Sequence, residues 1–147
     1  MTEIAKATAR SDIDRFQASL LKLPQAQGIR TDHYFADGMY CRTVWRPAGC
    51  AIVGKVHKKE HFYVVLQGEV TVTSVGEIPQ RIKGPKVLVS AVGTKRAVYA
   101  HVDSMCMTVH RIDGDSSDLE KIEEELVEPD EAALFGIGNQ PISLVRK

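Results

Sequence analysis

Two histidines stand four residues apart in the stretch G54-K-V-H-K-K-E-H-F-Y-V-V-L-Q-G68. Imidazoles at His57 and His61 can ligate a transition metal, exchange protons near neutral pH, or serve only as hydrogen-bonded polar lining. Lys55 lies two residues before His57, so in an extended chain the two share a face. A catalytic metal site usually takes three protein ligands. His33, His101 and His110 are the other histidines. Each reads first as an ordinary strand residue, and His110 is the best third ligand because it follows the alternation Cys106, Thr108, His110. No His–Asp dyad is visible. Asp103 and Asp113 fall at strand ends or turns, where aspartate has a local backbone role.

These side chains need a frame. Short runs rich in Val, Ile, Tyr and Thr predict strands near 31–35, 39–46, 50–56, 61–66, 69–75, 80–83, 87–90, 96–102 and 105–111. Turn signals separate them, among them Asp37-Gly38, Gln67-Gly68 and Gly84-Pro85. Many short strands at this spacing mean a sandwich or a small barrel. Before them a helix is expected, capped by Ser11, with Ile13, Phe16, Leu20 and Leu23 on one apolar face. After them S117-D-L-E120 matches a capping box, and Leu119, Ile122 and Leu126 form the stripe of a second helix ended by Pro129. The glutamates at 120 and 123–125 read as its solvated side. On strand 39–46, Arg42 and Arg46 share a face with Tyr40 and Val44. One of these arginines joins the interior or both face solvent. Trp45 points the other way, into a core or an interface.

Composition bounds the rest. Lys+Arg and Asp+Glu are both 19 in 147 residues, which argues against a general electrostatic grip on nucleic acid. Residues 39–101 are nonetheless rich in Lys and Arg and 113–131 is acidic, so the middle of the chain favours anions. Three cysteines, Cys41, Cys50 and Cys106, form no CxxC pair and fit a reduced cytoplasmic chain. No apolar run reaches the length of a membrane span, and 1–10 lacks the apolar centre of a signal peptide.

The chain resembles the cupin superfamily of RmlC-like double-stranded β-helix barrels. With the final glycine of the first cupin motif on Gly68, the glutamate position falls on His61, the second histidine on His57 and the first on Lys55. The second motif maps to A91-V-G93-T-K-R96-A-V-Y-A100, where Gly93 matches and Arg96 replaces the histidine ligand. The segments P47-A-G, G54-K-V-H-K-x-x-H, V-L-Q-G and G93-T-K-R-A-V-Y-A also look like phage and prophage cupin-like proteins of unassigned role.

The resemblance implies a mainly β fold. A single jelly-roll cupin barrel occupies 31–112, with an N-terminal arm and helix in 1–30 and a C-terminal helix and tail in 113–147. It places Lys55, His57, His61 and Arg96 together at one mouth of the barrel. That set favours a small anionic ligand, because Lys and Arg bind carboxylate or phosphate. Two fixed positive charges within ~5 Å repel a divalent cation by several kcal/mol. The alternatives are a divalent transition metal on His57 and His61 with His110, or a non-catalytic, phage-related assembly protein. No reaction is identifiable. The expected setting is the cytoplasm of a bacterial or phage-infected cell. A homodimer or higher homo-oligomer is expected, since the first helix and the apolar tail both need surfaces to cover.

Overall fold

The computed structural model describes residues 6–24, 26–114 and 117–130. Nine strands follow one helix and precede another: α1 (Arg10–Leu20), β1 (Arg30–Ala36), β2 (Met39–Arg46), β3 (Ala51–Val53), β4 (His61–Gln67), β5 (Glu69–Ser74), β6 (Gln80–Lys83), β7 (Lys86–Ser90), β8 (Arg96–Ala100), β9 (Ser104–Arg111) and α2 (Leu119–Leu126). The strands form two antiparallel sheets, ordered β1-β2-β9-β4-β7 and β3-β8-β5-β6. Alternation along each strand sends one set of side chains between the sheets. There Tyr63, Val65 and Cys106 of the first sheet pack on Val70, Val72, Ile82, Val98 and Ala100 of the second. This is the jelly-roll architecture expected from the sequence.

The turns follow local chemistry. Asp37 and Gly38 both take positive φ, 41° and 74°, the pairing a two-residue hairpin between β1 and β2 requires. Gly68 has φ 91°, and a Cβ there would lie 2.3 Å from Ser104 Oγ. Any other residue would collide with the start of β9.

Four local expectations need correction. α1 begins at Arg10, and Asp12 reaches back to accept the Ala9 amide at 3.1 Å, so Ser11 lies inside the helix. Its buried face is Ile13 and Gln17, while Phe16 and Leu23 are exposed. The reason is Lys95, 1% exposed, whose ammonium lies 2.7 Å from Gln17 Oε1 and 3.0 Å from Asp14 Oδ1. A buried ammonium needs acceptors, so a polar residue displaces Phe16 from the interface. α2 is capped by Asp118, which accepts the Glu120 amide at 3.0 Å, one residue after Ser117. The strand expected over 50–56 stops at Val53.

α1 lays Ile13 and Leu20 over Val53 and Ala97 on the outside of the four-stranded sheet. The outer face of the five-stranded sheet has no such cover among the described residues. Phe62, Val87 and Val89 are 49%, 59% and 64% exposed there. Residues 131–147, the expected C-terminal tail, lie outside the described residues.

Candidate metal centre in the barrel

Three imidazoles meet at one end of the barrel. His61 opens β4, and the β4–β9 ladder pairs its neighbour Phe62 with Val109, so His110 lies beside it. His57 precedes β4 and is pinned by backbone: its amide donates to Thr94 O at 2.9 Å, and its carbonyl accepts from Gly93 at 2.8 Å. The G93-T-K-R segment thus fixes the first histidine. The ring centroids of His57 and His61 are 4.1 Å apart, and those of His61 and His110 4.3 Å. All three side chains are buried, and one nitrogen from each falls within 4.8 Å of the others.

Burial, followed by the charge of Arg96, holds the His61 imidazolium down at a pKa of about 4. Burial does the same to His110, at about 3, with help from His61 and Arg42. His57 is driven down as well, first by burial and then by Arg96. At neutral pH these are three uncharged imidazoles, the form that ligates metals.

Their hydrogen bonds are incomplete. His57 Nδ1 and His110 Nε2 share one contact of 3.1 Å. His110 Nδ1 is buried with no hydrogen-bond partner among the described residues. His61 Nδ1 lies 3.0 Å from the Lys59 carbonyl, which makes it the protonated nitrogen and leaves a lone pair on Nε2. Arg96 Nη2 sits 2.7 Å from that lone pair and 2.7 Å from Ser90 Oγ.

Of the four expected pocket residues, His57, His61 and Arg96 come together and Lys55 does not. Lys55 forms an ion pair with Glu123 of α2. Residues 54–57 lie outside any regular strand, so alternation fails there and Lys55 turns towards the helix while His57 turns inward. His110 enters as the third imidazole. His33 is half-buried on β1 and lies 2.6 Å from the Tyr40 hydroxyl. His101 lies 2.6 Å from Thr71 Oγ1.

Beneath the histidines the interior is cationic. Arg96 lies 4.2 Å over the ring of Tyr63. Arg46, 5% exposed, contacts the Tyr63 hydroxyl through Nη1 at 3.4 Å. Tyr63 was not foreseen as part of the site, although its alternation with His61 along β4 places it on the same face.

α2 closes this end. Ile122, Leu126 and Val127 pack on Tyr40 and Ile112, and Val127 bridges to His57 through the backbone. Lys59 binds Glu125 at 2.5 Å and Asp113 at 3.2 Å. The acidic run is therefore split: Glu123 and Glu125 tie the helix to the barrel, and Glu120 and Glu124 are exposed. No helix among the described residues is long and apolar enough to cross a membrane.

Solved structures share this architecture. A cupin superfamily protein from Desulfitobacterium hafniense superposes with a TM-score of 0.52 at 14% identity, over 62% of this chain and 84% of that one. An RmlC-like cupin from Shewanella frigidimarina gives 0.50 at 12%, over 64% and 87%. The DMSP lyase DddQ from Ruegeria pomeroyi gives 0.52 at 19%, over 79% and 70%. No protein-family model matches the chain, and no curated protein matches it. The fold is that of a single RmlC-like cupin barrel.

Proposed function

We propose that this cupin barrel is a metal-binding pocket protein, with His57, His61 and His110 holding one divalent transition metal. The observation that carries the reading is the convergence of three neutral, buried imidazoles whose nitrogens lie within 4.8 Å of one another. The residues fit such an ion. Nitrogen donors suit zinc, nickel, copper and iron, and the unpartnered His110 Nδ1 marks an incompletely satisfied cluster. The single-proton contact between His57 and His110 is what a metal would replace. Arg96 already has Ser90 and Tyr63 to hold it when it leaves the His61 lone pair. The ion would supply Lewis acidity and a coordination point for a small ligand. No reaction is assigned.

The test is elemental analysis of purified protein after incubation with Zn²⁺, Ni²⁺, Mn²⁺ or Fe²⁺. About one equivalent is expected in the wild type, and well below a tenth in His57→Ala/His61→Ala and in His110→Ala. Absence of metal in every sample would sink the reading. For the anionic ligand expected from sequence, Lys55 is neutralised by Glu123, and the remaining cationic lining, Arg46 and Arg96, lies on Tyr63.

One observation favours a second reading, a scaffold that associates with a second copy of itself. It is the exposed apolar face of the five-stranded sheet, which a chain of zero formal net charge can present to its own copy without repulsion. A tie to phage proteins rests on the residue pattern alone.

A further inference from the structure

Burying a guanidinium without a carboxylate is expensive, because the lost hydration is not returned by a partner charge. Arg46 is 5% exposed and Arg96 6%. Neither forms an ion pair with any described carboxylate; the ion pairs among described residues involve Arg10, Arg15, Arg30, Arg81 and three lysines, Lys55, Lys59 and Lys95. The groups they bond or stack on are neutral, the Tyr63 ring and hydroxyl, Ser90 and a histidine, and the nearby Arg42 adds a further positive charge. Arg46 Nε is buried with no acceptor among the described residues. Lys95, another strongly buried cation, has Asp14 and Asp130 as partners. Among the described residues, the buried ammonium of Lys95 is thus given carboxylates, whereas the buried guanidiniums of Arg46 and Arg96 are given none.

We infer that Arg46 and Arg96, placed on the hydroxyl and the face of Tyr63, form an anion subsite that receives the carboxylate of a small organic acid. The inference rests on the same reading of the barrel interior as the functional site. A carboxylate is planar and accepts two parallel N–H bonds, which matches the guanidinium fork. Arg46 Nε is an unused member of that fork. Tyr63 holds both arginines in place, so little ordering is left for the ligand to impose. The other end of the acid would project towards the three imidazoles, where a metal ion would add to the same positive field.

The experiment measures binding by calorimetry and thermal unfolding on the full chain, stripped with chelator and, separately, loaded with Zn²⁺. The probes are acetate, succinate and citrate, with inorganic phosphate and uncharged acetamide beside them. Saturable carboxylate binding is expected in both metal states. Arg46→Met and Arg96→Met should each weaken it about tenfold or more, and acetamide should not bind. Arg46→Met should also unfold at the wild-type temperature or above, because it removes an unpaired buried charge. Arg46→Lys keeps that charge without the fork and should recover only part of the affinity.

Arginine-dependent carboxylate binding in a protein that takes up no metal would support the subsite while the metal reading fails. Carboxylate binding only with Zn²⁺, indifferent to Arg46→Met, would overturn the subsite and leave the metal centre standing. Saturable phosphate binding with no carboxylate binding would overturn the assignment of the ligand as an organic acid. Absence of binding by every probe, with Arg46→Met losing stability, would overturn the subsite altogether.

Discussion

A histidine that is neutral when folded and protonated when unfolded links stability to pH. His61 and His110 titrate at about 4 and about 3 in the folded chain, below the ordinary value of about 6.5. As pH falls below about 6.5 the unfolded chain takes up protons that the native one refuses. Stability is therefore fully present above that pH and is lost towards the folded values. Each imidazole contributes a slope of up to about 1.4 kcal/mol per pH unit. Metal-free protein should show a falling Tm between pH 6.5 and 5, above the carboxylate range, and His110→Gln should flatten the fall. A flat wild-type profile in that window would contradict three buried neutral imidazoles. Under the proposed metal reading, Zn²⁺-loaded protein should keep a higher Tm than the metal-free protein throughout this window.

At the scale of elements, α2 packs over the end of the barrel that holds the imidazoles, so it is expected to govern access. Leu126 is fully buried against Tyr40 and Ile112. Leu126→Ala should cost about 2–5 kcal/mol in that contact, and it should speed both uptake of Zn²⁺ and its removal by chelator. Stopped-flow with a chromophoric chelator measures the two rates; unchanged rates would mean that α2 does not gate the site. The strands were legible because alternation and turn residues act locally: eight of the nine expected runs match within two residues, and the hairpin at Asp37-Gly38 follows from its backbone demands. The third expected run failed past Val53 because tertiary pairing of His57 with Thr94 and Val127 overrides strand geometry. Lys55 was misplaced for that reason. Gln17 and Lys95 were invisible for another: their partnership spans 78 positions, and no local pattern announces a buried polar contact of that range. His110 and Arg46 could be read as inward-facing from alternation, but their convergence on His57 and Tyr63 depends on how two sheets close.

At the scale of the molecule, the two sheets are finished differently. α1 roofs the four-stranded sheet, while Phe62, Val87 and Val89 of the other remain on the surface. Self-association through that face predicts a concentration-dependent sedimentation coefficient for the wild type. Val89→Lys should give a monomer at all concentrations with an unchanged Tm, since an exposed strand position tolerates charge. A wild type that is monomeric throughout would remove the scaffold reading. The position of α2 in the chain has one more consequence. It follows β9, so the ribosome completes the last barrel strand, and with it His110, before the segment that covers the three imidazoles has been made. The cover is separable from the barrel: a chain cut after Ile112 keeps the nine described strands and the three histidines.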